Sequence, residues 1–324
     1  EPFSQAHDMA FAVFLVVIGL AALVFGGELL VRGSVLLAVK ARLSPLAIGV
    51  VVVGFGTSMP ELATSVEAVL ADAPQLAWGN IVGSNIANTL MILGGAALVS
   101  PFVLGGKGAI RDPLVGALAA LLLLGATAFA WAGTLLGAAM LLALAIYLVV
   151  ALKSERTAPV DPELDPESAD LTPSGWTKPS LLTIAGLAIL IAGGQALVSG
   201  SIDLARLVGL SETVIGLTVV AIGTSLPELV ASVLAARKGE SELAFGNVAG
   251  SNLYNILFIG GATMVLAPEP ITREMLPLDL GVMTGAALLL LVLAWVAKRV
   301  TRWMGALMVL AYAAYLATLV VLAS

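Results

Sequence analysis

Polar residues are scarce along this chain, and the gaps between them set its elements. Apolar runs of about 20 residues recur from end to end, each long enough as a helix to cross a bilayer core of roughly 30 Å. Period-2 alternation is nearly absent, which argues against a β-barrel. The pattern predicts ten spans, near 10–38, 45–71, 76–100, 113–131, 134–152, 180–205, 212–236, 243–266, 277–297 and 303–322. Between the fifth and sixth lies KSERTAPVDPELDPESADLTPSGWTK (153–178), rich in Pro, Asp and Glu and without apolar periodicity. The expected organisation is a five-helix unit over 1–152, an acidic linker over 153–179 and a second five-helix unit over 180–324. The linker's acidic run lacks the turn glycine and the spacing of a calcium loop, so it reads as a flexible, solvated connection.

The polar residues inside the apolar runs are repeated. GFGTSMPELATS begins at Gly54 and AIGTSLPELVAS at Ala221. Thr57 matches Thr224 and Asn88 matches Asn255 at one offset of 167, which holds without a gap from GLAALVFGGELLVRGS (19–34) against GLAILIAGGQALVSGS (186–201). It continues through LAWGNIVGSNIAN (76–88) against LAFGNVAGSNLYN (243–255), where eight of thirteen positions are identical. Chance likeness between apolar helices would pair Leu with Val; here Gly, Asn, Ser, Pro and Glu pair in register. The chain is an internal duplication. Five spans per copy is an odd number, so the second copy enters the membrane from the opposite side. Inverted repeats of this kind build transporters with a site near midplane, where broken helices of both copies meet. The expected fold is an all-α polytopic membrane protein of ten transmembrane helices in two inverted-topology five-helix repeats.

Each repeat sets a glutamate, Glu61 or Glu228, directly after a proline. Pro60 has no N–H for the carbonyl of Gly56, so backbone oxygens at 56–57 leave the helix ladder. Glu61 shares a helix face with Thr57, and Ser58 adds a hydroxyl; Thr224, Ser225, Pro227 and Glu228 repeat the arrangement. A carboxylate in lipid costs at least ~2.5 kcal/mol, so a symmetric pair points to a site rather than to two satisfied kinks. In the second motif Asn80, Ser84 and Asn88 fall at i, i+4 and i+8, and Asn247, Ser251 and Asn255 match them. Such stripes either line a site or bond one helix to the next, and for Asn80, Asn85, Asn247 and Asn252 the two readings stand level. Glu28, Glu67 and Asp203 lack acidic counterparts in the other repeat and fit interfacial or vestibule positions. Trp78 and Trp131, near span ends, fit interfacial anchors.

Composition adds limits. The chain is 60% hydrophobic and 11% charged, with a mean hydropathy of +1.06. A net charge of −6 speaks against nucleic acid, and zero cysteines exclude thiol chemistry. His7 is the only histidine, which argues against zinc and soft metals as occupants; the donors are hard oxygens suited to calcium or sodium. Twelve of the fifteen Lys and Arg residues fall in the connections after odd-numbered spans, which places those connections in the cytoplasm and both termini outside. The chain opens on Glu1 rather than Met, as a processed start or an expression remnant would.

GTSMPE with GNIVGSNIAN, and GTSLPE with GNVAGSNLYN, resemble the paired alpha-repeat motifs (54–95 and 221–262 here) of the calcium/cation antiporter superfamily, most of all those of prokaryotic sodium/calcium exchangers. The resemblance implies a ten-helix inner-membrane antiporter without cofactors, moving Ca²⁺ against Na⁺, with the lipid bilayer as its surroundings; the oligomeric state stays open and a monomer is compatible. It implies Glu61 and Glu228 as principal acidic ligands, Thr57 and Thr224 as carbonyl and hydroxyl donors, and Ser58 and Ser225 as support for sodium. Ser84, Ser251, Asn88 and Asn255 would complete the site, and 10–38 and 180–205 would form the sliding pair. Some relatives, among them potassium-dependent exchangers, resemble one another in carrying Asp where this chain has Asn88 or Asn255. Two asparagines imply potassium-independent exchange and put borrowed sodium stoichiometries in doubt. Proton- or potassium-coupled antiport is the alternative, and a cation channel a more distant one.

Overall fold

The computed structural model describes residues 2–105, 108–155, 175–207 and 223–323. The elements are α1 (Pro2–Ala41), α2 (Pro45–Thr57), α3 (Met59–Leu70), α4 (Pro74–Val99), β1 (Phe102–Val103), α5 (Gly108–Ala128) and α6 (Thr134–Glu155). After the linker come α7 (Thr177–Leu207), α8 (Leu226–Arg237), α9 (Ser241–Leu266), α10 (Arg273–Ala297), β2 (Arg299–Val300) and α11 (Arg302–Ala323). Among the described residues eight helices are long and apolar enough to cross a membrane. Counting the bent pair α2–α3 as one span makes nine. The expected span at 212–236 is described only as α8, because 208–222 lie outside the described residues, as do 156–174 of the linker. The protein is a multi-pass helical membrane protein.

Helices α4 and α9, each broken by a π-helical segment, occupy the centre, and most of their residues are buried by the surrounding helices. Helices α1 and α7 pack against each other along most of their length. The reason is glycine at every seventh position: Gly19, Gly26 and Gly33 on one helix, Gly186, Gly193 and Gly200 on the other. A Cβ on Gly26 would stand 2.6 Å from the backbone nitrogen of Leu190, and one on Gly186 2.4 Å from that of Leu30, so the two backbones are in contact. Gly19 faces Leu197 while Gly33 faces Thr183, so the helices run antiparallel. β1 and β2 form a two-stranded antiparallel pair, Phe102 opposite Val300, joining the connections after α4 and α10.

Two expectations need correction. Trp78 is not an interfacial anchor: it is fully buried, with its ring against Gly260, where the missing side chain makes room. Trp131 is exposed and stacks on Phe129, as an anchor would. The described part of helix α5 starts at Gly108, ahead of the expected 113, and takes Arg111 and Asp112 into its opening turns. The charges are tolerated there because they pair: Arg111 Nε donates to Asp112 Oδ1 at 2.7 Å, and Nη1 lies 3.5 Å from Glu155. Glu155 in turn accepts from Ser44 at 2.5 Å, tying α6 to the start of α2.

Candidate ion-binding site

The site grows from two helix breaks. α2 ends at Thr57, and Ser58 leaves helical geometry (φ −80°, ψ 4°) before α3 starts with Pro60 in its first turn; the axes bend by 42°. Proline at the second helical position has no orphan N–H to lose, so the break falls just before it. Ser225 (φ −91°, ψ 5°) and Pro227 repeat this at the start of α8. Each break puts a glutamate in the first turn of the new helix, where the N-terminal dipole favours negative charge.

Both glutamates are buried, 1% exposed. Their backbones are fastened alike. Asn80 Nδ2 donates to the Glu61 carbonyl at 3.0 Å and to Ser65 Oγ at 2.9 Å. Asn247 Nδ2 donates to the Glu228 carbonyl at 3.3 Å and to Ser232 Oγ at 2.9 Å. Both asparagines therefore position the glutamate turns, which decides for them between packing and lining. Ser65 and Ser232, fully buried, close both of the quoted repeats and have a role that pattern reasoning missed; their signal was the shared register.

The two halves meet through Thr57. Its hydroxyl donates to Asn247 Oδ1 at 3.1 Å and lies 3.5 Å from Ser251 Oγ, which reaches the Gly54 carbonyl at 3.4 Å. Thr57 is fully buried, whereas its counterpart Thr224 is half-buried. The aromatic ring of Phe55 meets that of Tyr254 edge-on, with centroids 5.3 Å apart, beside Asn255.

Asn88 and Asn255 stand at the start of matching π-helical segments, 87–93 and 254–259. A π-turn inserts an extra residue and turns the following side chains about the axis; such insertions cluster at functional sites. No residue pattern announced them. The contacts cross over: α8, with Glu228, packs on the segment holding Asn88, and α3, with Glu61, on the segment holding Asn255. Of the ten expected ligands, Thr57, Ser58, Glu61, Ser84, Asn88, Ser225, Glu228, Ser251 and Asn255 are buried, Thr224 half-buried.

One side-chain oxygen each of Ser58, Glu61, Asn88, Glu228 and Asn255 is buried with no hydrogen-bond partner among the described residues. Leaving one such group unmet costs about 1–3 kcal/mol, and more for a charged one. The donor set is all oxygen with two carboxylates, and among the described residues there is no cluster of three or more His, Cys, Asp or Glu able to hold a metal. That chemistry suits an ion which enters and leaves, held by neutral oxygens and two charges.

Comparisons with known proteins point the same way. The family described as sodium/calcium exchanger protein matches residues 11–153 and 178–321. The chain is 32% identical over 340 residues to the sodium/calcium exchanger MaX1 of Methanosarcina acetivorans, covering 94% of this chain and 97% of that one. It is 33% identical over 293 residues to the inner membrane protein YrbG of Escherichia coli, covering 89% and 90%. A solved structure of the sodium-calcium exchanger NCX_Mj superposes with a TM-score of 0.84 at 29% identity, covering 96% of this chain and 99% of that one. Matched in both halves by the family and end to end by its relatives, the chain belongs to the sodium/calcium exchanger protein family.

Proposed function

We propose that the protein is a secondary antiporter that admits extracellular Na⁺ and expels cytoplasmic Ca²⁺ through one alternating-access site. The observation that carries the reading is the pair of buried glutamates at matching helix breaks, each with an unpartnered oxygen and ringed by uncommitted oxygen donors. Two carboxylates balance one Ca²⁺ or two Na⁺, so competition for them couples the two flows. The ligands are Glu61 and Glu228 with Thr57, Thr224, Ser58, Ser225, Ser84, Ser251, Asn88 and Asn255. Asparagine at both 88 and 255 leaves no third core carboxylate for a co-bound K⁺, which favours potassium-independent exchange.

The architecture in this reading is two inverted five-helix units, 1–152 and 180–324, joined by a cytoplasmic linker over 153–179, in the inner membrane with both termini outside. Its support is the common offset of the two motifs, the antiparallel run of the matched helices α1 and α7, and the distribution of Lys and Arg. In this reading the same glycine contacts hold α1 and α7 together as the pair that slides.

The test is calcium uptake into sodium-loaded proteoliposomes under an outward sodium gradient, with and without K⁺. Uptake that follows the sodium gradient and ignores K⁺ is expected. Uptake driven by a pH gradient and indifferent to sodium would overturn the assignment. Conductance that persists without a counter-ion would make the protein a channel.

A further inference from the structure

A small cavity with four polar residues in its lining lies against the central helices, beside the exchange site. It has space for a single water-sized particle and is lined by Asn85 and Thr89 of α4, Asp112 and Gly116 of α5, Asn252 of α9 and Met283 of α10. Asn85 and Asn252 directly follow Ser84 and Ser251, so on their helices they project about 100° away from the exchange site. Neither they nor Asp112 belong to the ligand set above.

The side chains around this space are committed on one side and bare on the other. Asn85 uses its amide nitrogen on the Ile81 carbonyl at 2.7 Å, and Asn252 uses its own on Thr89 Oγ1 at 2.9 Å. That leaves Asn85 Oδ1 and Asn252 Oδ1 buried and unpartnered. Asp112 Oδ2 makes no hydrogen bond of normal geometry among the described residues, in a residue with no exposed surface, and the buried Tyr147 hydroxyl beside the carboxylate is the one neutral donor near it. Its other oxygen takes the Arg111 Nε–H, but that guanidinium also serves Glu155, so one positive charge is divided between two carboxylates. Acceptor oxygens, one of them anionic, therefore converge on one particle-sized space.

We propose that this pocket binds one monovalent alkali cation of sodium size, through Asp112, Asn85, Asn252 and Thr89, as a fixed site separate from the exchange site. Calcium prefers six to eight oxygens and Mg²⁺ an octahedron with retained waters. Four side-chain oxygens carrying one shared charge suit neither. A water would give two hydrogens to the three acceptors but would leave the charge of Asp112 facing an apolar wall of Ala249, Ile256 and Leu290. A cation here would tie α4, α5 and α9 together and hold Ser84 and Ser251 toward the exchange site.

The experiment disables the exchange site first. In purified protein carrying Glu61→Gln with Glu228→Gln, thermal stability is titrated with NaCl against choline chloride at constant ionic strength, with LiCl and KCl in parallel. A saturable sodium-specific stabilisation is expected to survive. Adding Asp112→Asn should weaken its midpoint about tenfold or more. Asn85→Leu should do the same, and because the Asn85 side chain donates only to its own helix, this variant keeps the fold if loss of the Arg111 partner does not. Crystals grown in NaCl and in choline chloride should differ by density for one ion in the pocket, present only with sodium. No sodium dependence in the double variant, a midpoint indifferent to both added substitutions, or the same ordered water in the pocket with and without sodium would each overturn the proposal. The sodium-gradient flux assay reads the exchange site alone, so the two readings fail separately.

Discussion

Replacing Asn247 by Ala is the sharpest test of how the exchange site is held. The two repeats carry identical asparagines at 80 and 247, yet among the described residues only Asn247 makes three side-chain hydrogen bonds: to the Glu228 carbonyl (3.3 Å), to Ser232 Oγ (2.9 Å) and from Thr57 Oγ1 (3.1 Å). At about 1 kcal/mol each, Asn247→Ala costs about 3 kcal/mol. Asn80 makes two such bonds and is only half-buried, so Asn80→Ala costs about 1–2 kcal/mol. A double-mutant cycle with Thr57→Val isolates the bond between the halves: about 1 kcal/mol of coupling with Asn247→Ala, and close to zero with Asn80→Ala. The assay is unfolding in mixed micelles followed by tryptophan fluorescence, paired with ⁴⁵Ca²⁺ binding, where Asn247→Ala should show the larger loss because it releases the Glu228 turn. Equal losses for the two asparagines, or no coupling between Thr57 and Asn247, would refute the reasoning.

Glu61→Gln and Glu228→Gln should each weaken Ca²⁺ more than Na⁺, because Coulomb energy scales with ion charge: a loss of about 2 kcal/mol, roughly 30-fold, for Ca²⁺ corresponds to about fivefold for Na⁺. Equilibrium binding of both ions reads this, and equal losses would contradict it. Gly26→Ala sets a Cβ 2.6 Å from the Leu190 nitrogen and should cost about 1–3 kcal/mol in unfolding, whereas Gly125→Ala, with nothing within 4 Å, should be neutral or stabilising. Lys238→Ala breaks a 2.9 Å pair with Glu28, but both side chains are a third or more exposed, so stability should change by less than about 1 kcal/mol.

The membrane class, the family motifs and the duplication were legible because each rests on local pattern. Apolar run length is set by bilayer thickness, and polar residues kept in register across 167 positions stand out against an apolar background. Features fixed by packing were not legible. The π-segments at 87–93 and 254–259 have ordinary helical residues, and nothing local marks the inserted turn. Trp78 read as an anchor because it sits near a span end; that Gly260 opposite leaves room for its ring is a fact of tertiary structure. Asp112, beside a proline at the edge of an apolar run, read as loop. Its burial depends on Arg111 and Glu155, the latter more than forty positions away in sequence.

The least legible feature is the asymmetry between halves that match so closely in sequence. Thr57 is buried and bonded to Asn247, while Thr224 is half-buried. Under the inverted-repeat reading the symmetry mate of the Thr57–Asn247 bond is one between Thr224 and Asn80. If both bonds formed at once, the two halves would be equivalent and the site would favour neither side of the membrane. In that reading, forming one would make the site one-sided, and exchanging it for the other would reverse the side. Duplicated residues supply two equivalent ways to close, and the energy between them stays small because the donor, the acceptor and the glutamate turn are the same in each. An alternating-access device needs that near-degeneracy, since two states separated by many kcal/mol would leave one unpopulated.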